Sequence, residues 1–186
     1  MNIAESKTRS AYPLSKRKII KKTIVGVFVW ALLTLLGGAA SLIFNLAITT
    51  DPTIPSEVVA LGPLVSNAWW VLLVLFVLLS VLTYFYQVWY FAAYYYELAD
   101  HFLIIRKHPI TPTEINVPYE RFQDVYVDQD ILDRIMGLYD VHISSATITS
   151  GMEAHIDGME KVAAMGLRDE LLNIVKKKVS KDQKEA

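Results

Sequence analysis

Trp69-Trp70-Val71-Leu72-Leu73-Val74-Leu75-Phe76-Val77-Leu78-Leu79-Ser80-Val81-Leu82 is the stretch that decides the fold. No charge interrupts it, and its centre is almost wholly Val, Leu and Phe. Aromatic residues mark both ends, Trp69 and Trp70 on one side and Tyr84, Tyr86, Trp89 and Tyr90 on the other. Indole and phenol rings favour the headgroup level, where an apolar body and a polar tip are both satisfied. The run therefore reads as a transmembrane helix over 68–90. Outward from it, no Lys or Arg occurs between Lys22 and Arg106, and the only acids in that interval are Asp51, Glu57, Glu97 and Asp100. A soluble core does not need so long a stretch without cations, whereas a bilayer does. Residues 23–49 are equally free of charge and exceed the roughly 20 residues that cross a hydrocarbon core. A secretory signal peptide has a shorter apolar region, about 7–15 residues, so this run reads as a first span. The small residues Gly37, Gly38, Ala39 and Ala40 nevertheless imitate a cleavage site.

Residues 50–67 join the spans. Pro52, Pro55, Gly62 and Pro63 make them a loop with at most a short interfacial turn. The loop has two acids and no base, while residues 1–22 carry Lys7, Arg9, Lys16, Arg17, Lys18, Lys21 and Lys22 against Glu5 alone. The positive-inside rule places both termini in the cytoplasm and this loop outside, which makes the chain a multi-pass protein of the cell membrane. Lys16, Arg17, Lys18, Lys21 and Lys22 would also attract anionic lipid at about 1 kcal/mol per cation. Topology determination explains the same residues without a further role. Gly37 and Ser41, four apart on one helix face, mark a close helix contact. Packing against the second span is the favoured reading, and self-association is the alternative. Neither span contains an ionisable residue, which argues against a proton or ion transporter.

From Tyr94 the periodicity changes. Strands are expected over 94–98, 101–106, 114–119, 122–128, 138–144 (running on towards Ile148) and 153–158. A turn at Ser150-Gly151 separates the last two. Asp130 to Gly137 reads as a short helix, with Asp130 as N-cap and Gly137 as C-terminal stop. Val162, Ala163, Leu167, Leu171, Ile174 and Val175 recur at helical spacing, and Lys176 to Lys178 suit the dipole at the helix end. A cytoplasmic domain over 94–178 and a polar tail over 179–186 follow.

Within this domain, Val117-Pro118-Tyr119-Glu120-Arg121-Phe122-Gln123-Asp124-Val125 resembles the bacterial pleckstrin-homology-like (PH-like) family. So do Asp130-Ile131-Leu132-Asp133-Arg134-Ile135-Met136-Gly137-Leu138 and Val141-His142-Ile143. The family places such domains after paired hydrophobic helices. Ser145 to Gly151 departs from it by lacking a glycine-rich stretch. The resemblance implies a membrane α-helical hairpin followed by an α+β domain, a bent antiparallel sheet capped by a C-terminal helix. It implies no enzymatic activity, and a shared fold does not by itself imply phosphoinositide binding.

The side chains bear out no specific chemistry. The chain has no Cys, which removes disulfides, thiolate metal sites and thiol nucleophiles. His101, His108, His142 and His155 lack metal-ligand spacing. Asp124, Asp128, Asp130 and Asp133 lack the central Gly and closing Glu of a calcium loop. Ser144 and Ser145 have no nucleophile-elbow context, and no glycine loop is present to hold phosphate. No cofactor is expected. Arg121 and Arg134 could contact an anion or lipid headgroup, but the favoured reading is local pairing, of Arg121 with Asp124 or a carbonyl and of Arg134 with Asp130. The expected function is a non-enzymatic interaction or scaffold module at the cytoplasmic membrane face. Its partners would be the bilayer, a membrane or cytoplasmic protein, or a second copy, and nucleic acid is not among them. A lipid-sensing module and an accessory subunit of an envelope or transport complex are the alternatives.

Overall fold

A computed structural model of the chain describes residues 6–145 and 154–185. The expected continuation of a strand towards Ile148, the turn at Ser150-Gly151, the Ser145–Gly151 departure beyond its first residue and the extreme termini lie outside the described residues. The chain divides into two compact units, Met1–Lys21 with Val88–Ala186, and Lys22–Gln87.

Two helices are long and apolar enough to cross a membrane. The first is α2 (Arg17–Thr50). The second, α4 (Gly62–Ala93), starts six residues before the expected boundary. The reason is local: Pro63 falls in the first helical turn, where no intrahelical partner awaits its missing N–H. A short helix, α3 (Ser56–Val59), lies in the intervening loop. Inside the 22–87 unit the helices meet through small residues. A Cβ on Gly37 would stand 2.7 Å from Leu72 Cδ1, and one on Gly38 2.5 Å from Trp69 Cζ3. Ser41 Oγ donates to the Val65 carbonyl at 3.4 Å, and Trp30 Nε1 donates to Thr83 Oγ1 at 3.0 Å. Small residues at these positions let the two helices approach closely.

The other unit carries two antiparallel three-stranded meanders. One is β1 (Tyr95–Leu98), β2 (Phe102–Lys107) and β3 (Thr113–Pro118). The other is β4 (Phe122–Asp128), β5 (Leu138–Ser145) and β6 (Ala154–Glu160). A single 3-10 turn, Tyr119–Arg121, joins the sheets. Between β4 and β5 lies α5 (Ile131–Met136), with the caps expected from sequence. Asp130 accepts from the Asp133 N–H at 2.7 Å, and Gly137 takes the left-handed conformation at φ 67°. The C-terminal helix α6 (Lys161–Glu185) packs on β4, β5, β6 and the 3-10 turn. Two long apolar helices, then two antiparallel sheets and a C-terminal helix, agree with the helical-hairpin-plus-α+β PH-like fold expected from sequence.

The core gathers Tyr94 and Tyr96 with Leu103, Ile105, Val141, Ile156, Leu167 and Leu171. Each such side chain contributes about 1.5–3 kcal/mol by leaving water. Leu14 is also part of this core and bridges to Met159 of β6. The basic segment expected as a separate region over 1–22 is therefore folded into the domain from Ser6 onward. Its first helix, α1 (Lys7–Ala11), is capped by Ser6, whose hydroxyl also reaches the Tyr96 carbonyl at 2.5 Å and the Glu97 carboxylate. Thr8 Oγ1 accepts from the Leu98 N–H at 2.9 Å. Arg9 donates to the carbonyls of Phe91 at 3.1 Å and Tyr94 at 2.5 Å, satisfying acceptors that the end of α4 leaves without helical partners.

Candidate functional site

Two features of the folded domain carry polar chemistry. The first is a network of buried charge along the start of α2. Lys18, 2% exposed, places Nζ 3.0 Å from Asp157 Oδ1 and 3.7 Å from the centre of the Tyr94 ring. The Tyr94 hydroxyl lies 3.2 Å from the same carboxylate oxygen. Burial, and after it the Asp157 charge, push the Tyr94 phenol well above its ordinary pKa, so it stays a neutral donor. A β-bulge aims Asp157 at Lys18. The pairing of β5 with β6 shifts register between Tyr139 and Val141, and Gly158 takes φ 80°. A Cβ at Gly158 would come within 2.7 Å of the Lys18 stem. The freed Gly158 N–H donates to Asp140 Oδ1 at 2.7 Å.

One turn further along α2, Lys21 Nζ lies 2.7 Å from Asp130 Oδ2 and 2.6 Å from Asp133 Oδ2. Burial opposes the charge on Lys21, but the hydrogen bonds it donates to the two carboxylates outweigh it and raise its pKa. Asp140 is the exception among these acids. Burial raises its pKa to about 6 despite the Gly158 N–H, and the Asp157 and Asp133 charges push in the same direction. Arg17 Nη1 donates to the Met136 carbonyl at 3.2 Å, at the end of α5.

These positions turn two of the five cations of the basic cluster, Lys18 and Lys21, away from any lipid surface. Lys18 and Lys21 point into the domain, because the buried Asp157 and Asp133 would otherwise be desolvated without a counter-ion, while the exposed Asp130 adds a second carboxylate to Lys21. Lys16 and Arg17 are exposed and Lys22 is half-buried. Arg121 and Arg134 are both exposed, and they are not brought together with the lysines. Asp130 pairs with Lys21 instead of Arg134. Sequence reading missed Asp133 and Asp157 as ion-pair partners. The available signal was an acid set among residues whose pattern otherwise demanded burial.

The second feature is a groove of about 460 Å³ between the N-terminal segment and α6, lined by Tyr12, Leu14, Ser15, Glu160, Val162, Ala163 and Gly166 among others. Tyr12 and Gly166 also line a neighbouring cleft of about 380 Å³ that runs on to Asp169, Glu170, Asn173 and Lys177. Gly166 permits the arrangement, since a Cβ there would stand 2.7 Å from Tyr12 Cε1. A hydrogen bond to Glu170, with burial, raises the Tyr12 pKa. Val162, assigned by periodicity to the buried face of the last helix, is 86% exposed at the groove's rim. It stands on the second residue of α6, before the helix reaches the sheet. The groove is apolar along one stretch and mixed in charge along the next, where Lys177 accompanies Asp169 and Glu170, and Asp169 also pairs with Arg168 at 2.8 Å. It can hold an apolar side chain, and its described lining residues include no nucleophile with a positioned base.

The histidines do other work. Tyr126, His142 and His155 stack across β4, β5 and β6, with ring centres 5.0 and 5.5 Å apart. His142 Nε2 lies 3.1 Å from Asp128 Oδ1. Among the described residues, no group of three or more His, Asp and Glu side chains is placed to share a metal ion.

No curated protein and no solved structure matches the chain. A family model described as bacterial PH domain matches residues 18–175, which takes in both apolar helices, both sheets and most of α6. The match spans well over half of the chain. The chain therefore belongs to the bacterial PH domain family.

Proposed function

We propose that this chain is an integral membrane protein that presents its PH-like domain on the cytoplasmic face as a non-catalytic docking module for a partner protein. Four facts support the membrane reading: the two apolar helices, the absence of any Lys or Arg from 23 to 105, the basic flank before the first span and the base-free loop between the spans. PH-like domains are in general binding modules, which supports the non-catalytic reading.

The observation that carries the docking role is the groove beside α6. It offers apolar surface around Leu14, Val162 and Ala163, with Asp169 and Glu170 beside Lys177 at its far end. The partner segment that fits has an apolar anchor followed by a Lys or Arg. Exposed apolar surface beside polar surface is the usual composition of such sites. Anionic lipid is the weaker candidate ligand, because two of the five juxtamembrane cations are engaged inside the domain and the residues from 97 onward carry more acid than base.

The test has two parts. A reporter fused after Ala186 should be active in the cytoplasm, and one inserted at Thr53 should be active outside. A photo-crosslinking residue at Val162 should give a discrete protein adduct in native membranes, lost when Glu170→Lys reverses the acidic end. Adduct formation insensitive to Glu170→Lys, or none at all, would remove the groove from the reading. A reporter active outside at Ala186 would remove the topology.

A further inference from the structure

Four side chains form one row through the folded domain. Tyr126 of β4, His142 of β5 and His155 of β6 are partners in register, which is why their rings can stack across the sheet. The row continues into the other sheet. Lys107, the last residue of β2, places Nζ 3.2 Å from His155 Nε2. Among the described residues the two meanders share no ladder, so this side-chain bond ties one sheet to the other.

The bond dictates the state of the imidazole. An ammonium has three donors and no acceptor, so Nε2 of His155 must offer its lone pair and the ring must be neutral. Neither partner can easily turn aside. Lys107 is 7% exposed and its Nζ lies 5.6 Å from the centre of the buried Tyr94 ring. The backbone of His155 is held by the Tyr94 hydroxyl, which donates to its carbonyl at 3.1 Å. A proton added at Nε2 would set an N–H against an ammonium. The charged and titratable groups around the row are Lys107 on one side of His155, and His142 with Asp128 at 3.1 Å on the other. The Lys18–Asp157 pair meets Tyr94, and His108, next to Lys107 in the chain, faces Tyr90.

We propose that Lys107 and His155 form a pH-sensitive latch between the two sheets, closed while the His155 ring is neutral and released when the ring takes up a proton. An imidazole ordinarily titrates at about pH 6.5, so the change falls close to neutrality. The open form accepts a proton that the closed form excludes, so the latch weakens as pH falls. Release frees the end of β2 from the start of β6. Asp140 acts in the opposite sense, because burial makes the folded state hold its proton, and global melting therefore mixes the two effects.

The test is local amide exchange of the full-length protein in mild detergent, read by mass spectrometry over 102–107 and 154–156. Variants are compared with the wild type at one pH, about 7.5 or about 5.5, so that intrinsic exchange rates cancel. At the higher pH, Lys107→Met should exchange about tenfold faster than wild type in both segments, the worth of one charge-assisted hydrogen bond. At the lower pH the two should exchange alike, because the wild type has already lost the bond. His155→Gln keeps an acceptor for Lys107 at either pH and should exchange about tenfold more slowly than wild type at the lower one. Segment 131–136 should respond to neither variant. A Lys107→Met to wild-type ratio that is the same at both pH values would overturn the proposal, as would equal exchange of wild type and His155→Gln in acid. Acceleration that extends equally to 131–136 would show the whole domain opening in place of a latch, and would overturn it too.

Discussion

Replacing Lys18 with Met removes the cation from a site that is 2% exposed and leaves Asp157, 5% exposed, facing it. The thioether matches the lysine stem, so the packing around Gly158 is kept. Truncating one partner of a buried pair costs about 3–5 kcal/mol, because the remaining charge stays desolvated. Asp157 keeps the Tyr94 hydroxyl at 3.2 Å as a donor, which places the expected loss near the lower end, at about 3 kcal/mol. Lys18→Met/Asp157→Asn removes both charges and should recover most of that loss. The four tryptophans, Trp30, Trp69, Trp70 and Trp89, all belong to α2 or α4, so indole fluorescence does not isolate the domain. A single cysteine replacing the fully buried Ala154 does so, through its rate of thiol modification in mild detergent. A loss of 3 kcal/mol should speed modification by about 100-fold. A rate unchanged by Lys18→Met, or a double variant as labile as the single one, would refute the claim that this ion pair locks the N-terminal segment to β6.

Asp140 gives the domain a pH dependence of its own. Its folded pKa of about 6 exceeds its ordinary value of 3.8, so the folded state holds the proton more tightly. Stability from this group is present below the lower value and is lost as pH rises to the higher one. The loss is about 2 kcal/mol after allowance for partial exposure. Asp140→Asn should flatten that slope and raise the neutral-pH melting temperature; calorimetry across the window checks it. Asp130→Ala removes both the cap of α5 and one carboxylate from Lys21, and should cost about 1–2 kcal/mol. Amide exchange across 131–136 should accelerate by about tenfold or more. Gly38→Leu places side-chain atoms where the Trp69 ring lies, 2.5 Å from the new Cβ. Crosslinking between cysteines at Trp30 and Thr83 should fall sharply, whereas Ala39→Leu, on an exposed position, should leave it unchanged.

The parts of the fold that show in the sequence are those with a local cause. The two long apolar helices show because their charge-free runs are continuous. β4 shows because its side chains alternate, and α5 because Asp130 and Gly137 are caps with their own geometry. The N-terminal segment has none of these marks. Ser6, Thr8 and Leu14 follow no period, and each is held by a partner far along the chain. Lys18 and Lys21 sit beside an apolar run, where lysines ordinarily report topology. Their carboxylate partners are more than 100 residues away, beyond the reach of any local pattern. The groove was hidden for the same reason, since one wall comes from each end of the chain. Val162 misled because helical periodicity gives a residue's angle around the axis, not whether anything faces it at that height.

The bridge from Leu14 to Met159 and the hydrogen bond from the Ser15 N–H to the Gly158 carbonyl also impose an order of events. Leu14 and Ser15 precede both apolar helices in the chain, whereas Gly158 and Met159 follow them, so these contacts wait for the synthesis of β6. Closure of the domain is therefore a late event that no part of the chain before β6 can complete. A chain that stalled before β6 would hold Leu14 and Ser15 without their strand partners, open to proteases.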